Sequence, residues 1–177
     1  MSAVSALGTV GGAEAEAGLL QAMDDPELFD TALWSLSSLG TPGGRQAIRD
    51  AATGDDPTRR AAALGALGSD RSTAARDLLV GALQDDDGSV VSTALNQLQM
   101  QGSSVAASAV AELLLSLPED GEDPFGVRWQ AANTLQSIGG GAARDHQELI
   151  ASILQGGWGD SSWPEPVWGG EEPVWGG

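Results

Sequence analysis

Asp55-Asp56-Pro57-Thr58-Arg59-Arg60-Ala61-Ala62-Ala63-Leu64-Gly65-Ala66-Leu67-Gly68-Ser69 decides the fold of this chain. An Asp followed by Pro is a helix start. The carboxylate accepts orphan N–H groups of the first turn, and proline suits the first helical position, where its missing N–H costs nothing. Behind that start, Ala63, Leu64 and Leu67 recur at helical spacing. Working outward, Asp24-Asp25-Pro26 precedes Asp55-Asp56-Pro57 by 31 residues, and Asp86-Asp87-Gly88 follows it by the same step. Ala32-Leu33, Ala63-Leu64 and Ala94-Leu95 keep this period, as do Leu36, Leu67 and Leu98. A fourth copy begins at Asp123-Pro124 with Ala131 and Leu135 in the matching places, and Ala3 and Leu7 belong to a partial opening copy.

Each unit reads as two helices. The first runs from its Asp cap to a glycine such as Gly40 or Gly139, and the second carries Ala74 to Val80 or Val110 to Leu115. One such hairpin cannot bury its apolar face alone, but stacked hairpins form a continuous core. Small Ala and Gly residues at the packing positions let neighbouring helices approach closely. The expected architecture is an all-α solenoid of about five hairpins over residues 1–155, followed by a tail over 156–177.

The phrases DDPTRRAAALGALGS (Asp55 to Ser69) and DPFGVRWQAANTLQSIG (Asp123 to Gly139) resemble the HEAT-like repeats of α-solenoids, of the type found in bacterial phycobilin lyases. The resemblance implies the fold and says little about function, since such solenoids serve many tasks. Two departures stand out. The opening repeat is short and lacks its Asp-Asp-Pro start, so it is a degenerate cap or a trimmed one, and exposed apolar surface there would allow end-to-end self-association. The second is a six-residue expansion around Pro118-Glu119-Asp120-Gly121-Glu122, an acidic loop that is either a contact element or a passive insertion.

Composition narrows the function. The 177 residues carry a net charge of −17, and all eight basic residues are arginines. Such a surface repels phosphate backbones and anionic membranes, so neither nucleic acid nor membrane is expected as a partner, and a protein with a basic surface is. No cysteine exists to make a disulfide or thiolate metal site. No signal peptide and no apolar run long enough for a bilayer are evident, and the expected location is cytoplasmic.

Catalytic signatures are missing. There is no GxSxG, P-loop or HExxH, and His146, the single histidine, is followed by Gln147 rather than by the Glu of HEAT-like iron enzymes. The expectation is a non-enzyme with no cofactor and no metal, and His146 is read as a surface helical residue. The repeated aspartates either form an acidic ridge for a basic partner or simply cap helices, and capping accounts for their spacing.

The tryptophans carry the functional reading. In the repeat register Trp34 aligns with Gly65, Asn96 and Asn133, and Trp129 with Asp30, Ala61 and Ser92. The two columns lie four residues apart, hence on one helix face, which is mostly polar. Both residues are either partner contacts or covers for local gaps near the solenoid's ends. Four further tryptophans lie within the last twenty residues: Trp158, Trp163, Trp168 and Trp175. The hexapeptide Glu165 to Gly170 is repeated as Glu172 to Gly177. Pro164, Pro166 and Pro173 oppose helix, so the tail reads as a linker (Gly156 to Ser162) followed by two extended cassettes. In each, Val167-Trp168 or Val174-Trp175 would insert into an apolar, Trp-accepting pocket. The expected function is a protein–protein adaptor, whose solenoid binds one partner and whose duplicated tail docks to another or back onto the solenoid. The alternative is a precursor whose Trp cassettes are modified or cleaved. The terminal Gly176-Gly177, as in ubiquitin-like modifiers, is an incidental match in a helical chain.

Overall fold

The computed structural model describes residues 12–118, 123 and 126–155, and these contain helices and turns but no strand. In chain order the helices are α1 (Ala13–Ala22), α2 (Phe29–Leu39), α3 (Pro42–Ala51), α4 (Pro57–Ala66), α5 (Thr73–Gly81), α6 (Gly88–Gln101), α7 (Ala107–Ser116), α8 (Val127–Ile138), α9 (Gly140–Asp145) and α10 (Gln147–Gln155). Pairs α2/α3, α4/α5 and α6/α7 are the three hairpins of the 31-residue period. The fourth pairs α8 with the broken helix α9–α10, and α1 precedes them all. The chain is an all-α solenoid, as the period predicts.

The repeated aspartate caps the first helix directly in the second and third repeats and acts through an intervening turn in the first and fourth. Asp56 accepts the N–H groups of Thr58 at 2.9 Å and Arg59 at 3.3 Å, and Asp87 accepts that of Ser89 at 2.9 Å. In the first repeat the helix starts at Phe29 rather than Pro26. There the Asp25 carboxylate holds the Glu27 N–H at 2.9 Å, and its carbonyl takes those of Leu28 and Phe29 at 3.1 and 2.9 Å. That local turn consumes residues 25–28 before the helix begins. In the fourth repeat Gly126 adopts a left-handed conformation, with φ of 60°, and Asp123 reaches over it to Val127 N at 2.7 Å and Arg128 N at 2.9 Å. The left-handed glycines Gly40 and Gly102 close α2 and α6, conformations that a side chain would strain.

The core is the period made solid. Ala32, Ala63, Ala94 and Ala131 are all buried, as are Leu36, Leu67, Leu98 and Leu135. The alanines let α2, α4, α6 and α8 stack side by side in one layer. The second helices obey the same step: Ile48, Leu79 and Val110 are buried, and so are Ala52, Leu83 and Leu114. In the opening copy the step shortens to 29, and Ala15 and Leu19 take the places of Gly44 and Ile48. In the last copy the second helix breaks at His146, and Ile150 fills the core position.

Candidate interaction surface

Across each first helix from the buried stripe lies a face formed by positions i, i+4 and i+8 of the repeat. On α2 this is Asp30, Trp34 and Ser38, all exposed, and on α6 it continues through Asn96 to Met100. Trp34 leaves 57% of its surface in solvent and Met100 leaves 75%. An indole so placed adds nothing to the core and offers a large rigid apolar contact. Trp129 on α8 shares the face but is half-buried and engaged by neighbouring groups. Two first helices, α4 and α6, stand between α2 and α8, so the two indoles are separated by roughly 30 Å at about 10 Å per helix. One face carries both, and no single pocket can.

The two edges of the solenoid differ in charge. At the edge where first helices begin, the second aspartate of a pair is spent on nearby backbone N–H groups, capping α4 and α6 and holding the turn before α2, while the first stays exposed. Asp24, Asp55 and Asp86 are all exposed, with no side-chain hydrogen bond or ion pair among the described residues. They recur at the repeat step and make a negative row. At the opposite edge, where second helices begin, Arg71 and Arg76 line a cleft of about 230 Å³ with Gln101, Gly102 and Ser103.

Fixed charge pairs tie the repeats together. The Arg60 guanidinium holds Asp85 bidentately, with Nε and Nη2 each 2.8 Å from a carboxylate oxygen, and its Nη1 reaches the carbonyls of Gly54 and Asp55. The hydrogen bond from Arg60 keeps the Asp85 carboxyl below its ordinary range, against a smaller opposing effect of burial. Ser89 lowers the Asp87 carboxyl in the same way through its hydroxyl and N–H. Arg59 lies 4.6 Å over the Phe29 ring, a cation–π contact between the first and second repeats. Glu16 of α1 accepts from Thr41 Oγ1 at 2.7 Å and Gly44 N at 3.0 Å, capping α3 from another helix. A Cβ at Gly43 would displace that carboxylate.

The stacked hairpins and their 31-residue core ladder have a counterpart in a known repeat family over the middle of the chain. Residues 45–122 match the HEAT repeats family. The matched stretch runs from α3 to beyond α7, and the 31-residue period of the chain extends outside it to α2 and α8. Comparison with curated proteins finds no match.

Of the residues expected to bind a partner, Trp34 and Trp129 lie on the one face described above. Trp158, Trp163, Val167, Trp168, Val174 and Trp175 lie outside the described residues, as do residues 119–122 of the acidic expansion. Pro118, at the base of that loop, accepts Arg128 Nη1 at 3.0 Å. His146 is partly exposed and lies in the break between α9 and α10 rather than within a helix, with its carbonyl accepting Ile150 N–H at 3.0 Å. Among the described residues no three His, Asp or Glu side chains approach closely enough to hold a metal, and no helix is long and apolar enough to cross a membrane. The Arg71–Arg76 cleft, the Glu16 cap and the Arg60–Asp85 clamp carry no motif. Arg45 stands one period before Arg76 and Arg128 stands in the column of Arg60, so residue type alone does not single these positions out.

Proposed function

We propose that this protein is a non-catalytic adaptor whose solenoid binds one protein partner and whose duplicated Trp cassettes dock to another. The observation that carries the reading is Trp34, more than half exposed on a face with no structural use for it. Support comes also from the HEAT repeats, an architecture that presents extended protein-binding surfaces. The row of exposed aspartates favours a partner with a basic surface and disfavours nucleic acid and anionic membrane. The likeness to phycobilin-lyase-type repeats is taken as one of repeat pattern alone, and no lyase chemistry is assigned. A cytoplasmic location suits the reading.

Photocrosslinking of the full chain in its native host tests it, with the reactive residue at position 34 in one variant and at 168 in another. The adaptor reading expects discrete protein adducts that differ between the two positions. The exact duplication of Glu165 to Gly170 as Glu172 to Gly177 favours one rival, a precursor whose cassettes are substrates. An intact mass altered or shortened within residues 156–177 would establish that rival and overturn the adaptor.

A further inference from the structure

The cleft at the second-helix edge joins the start of α5 to the turn between α6 and α7. Two of the chain's eight cations, Arg71 and Arg76, line it in a protein with 25 acidic residues. Neither makes an ion pair or a side-chain hydrogen bond among the described residues, and Arg76 Nε is sealed from solvent without an acceptor. A donor so held is costly unless an acceptor arrives, which marks the cleft as a place where one is missing. The two acids adjacent in sequence pair with neither arginine: Asp70 Oδ1 accepts Ser72 N–H at 2.9 Å while its Oδ2 lies 4.0 Å from Arg49 without a hydrogen bond, and Asp77 is exposed.

Two guanidinium groups and no acid in the lining fit an anion, and the planar fork of arginine matches a carboxylate. A polyanion would be opposed by the net charge of −17, whereas a single carboxylate flanked by apolar groups would not. Apolar flanks are at hand. Val105 lines the cleft and Met100 sits one residue before Gln101, and each is 75% exposed. An acid followed by an apolar pair is what each cassette offers: Glu165-Pro166-Val167-Trp168 and Glu172-Pro173-Val174-Trp175. Reach is sufficient. The cleft lies about two repeats back from Gln155, roughly 20 Å at about 10 Å per repeat. The ten residue steps from Gln155 to Glu165 can span up to about 33 Å.

We propose that the Arg71–Arg76 cleft is the docking site for the acidic Trp cassette of this chain's own tail, its glutamate on the two arginines and its Val-Trp beside Val105. This deepens the reading of the cassettes as docking motifs and rests on it: the tail is latched on the solenoid until a partner takes it.

The test is fluorescence anisotropy of a labelled peptide, Glu171 to Gly177, titrated with the full chain. Changing both peptide glutamates to Gln is expected to weaken binding about tenfold or more, the worth of a charge-assisted pair. R71A/R76A in the protein is expected to weaken it similarly, with the two losses not additive and binding falling with salt. Arg71 is exposed and Arg76 only partly buried, so the fold should survive, as checked by circular dichroism. The peptide series needs no protein variant in any case. A full chain carrying E165Q/E171Q/E172Q should bind added peptide more tightly than wild type, since its own tail no longer competes. No binding, equal affinity for the Gln peptide, additive losses, or no gain from that variant overturns the latch. None of these results alters the crosslinks expected at positions 34 and 168, so the adaptor reading fails or stands separately.

Discussion

Thr134 is fully buried in α8, and its hydroxyl has no hydrogen-bond partner among the described residues. In the repeat register it stands where Ser35, Ala66 and Gln97 stand in the other copies. Ser35 turns its hydroxyl onto the Thr31 carbonyl at 2.8 Å, and Thr93 does the same to Ser89 at 2.9 Å, but Thr134 makes no such bond. A hydroxyl desolvated without a partner costs about 1–3 kcal/mol, and valine supplies the same β-branched shape with a methyl in its place. Thr134→Val is therefore expected to stabilise the protein by about 1–2 kcal/mol. For a chain of this size that raises Tm by about 2–8 °C. Thr134→Ser keeps the orphan hydroxyl and deletes the packed methyl, and should cost about 1 kcal/mol. Thermal and urea unfolding followed by circular dichroism at pH 7 read both changes. A valine variant that loses as much stability as the serine variant, or more, would refute the reasoning, because it would show the hydroxyl to be bonded.

Leu98 is fully buried in α6, between two neighbouring first helices, so Leu98→Ala is expected to cost about 3–4 kcal/mol by urea denaturation. Leu115→Ala, at a position 57% exposed, should stay within about 0.5 kcal/mol. Equal effects at the two sites would mean that the core ladder does not bear the fold. The Asp85 carboxyl is held low by Arg60, so its ionised form is favoured in the folded state. Its contribution is present above the unfolded value of about 3.9 and is lost as pH falls through the lower folded value. Asp85→Asn should therefore lower the urea midpoint at pH 7, and the gap to wild type should close towards pH 3. A gap constant with pH would remove the ion pair from the account.

The layered helical architecture was legible because a 31-residue step repeats every burial decision. The chain must place an alanine at 32, 63 and 94 and a leucine at 36, 67 and 98 for the first helices to stack, and those letters are visible without coordinates. Helix starts were legible only in part. Asp-Asp-Pro marks a cap, yet at Asp25 a local turn uses the same donors and delays the helix by a turn. Trp34 was readable as an outlier in a polar column, and its exposure agrees. Trp129 was equally conspicuous in sequence, and only the packing around α8 shows it half-buried.

The sequence by itself determined the period, the helical hairpin, the acidic character and the residues that fill the core, because each depends on spacing within a single repeat. The tertiary structure alone decided which charges meet. Arg60 reaches Asp85 across 25 positions, Glu16 caps a helix 28 positions away, and Arg71 and Arg76 are left facing a cleft instead of an acid. Such pairings follow from how one repeat is laid upon the next, and electrostatic energy depends on that distance in space while periodicity records only distance along the chain.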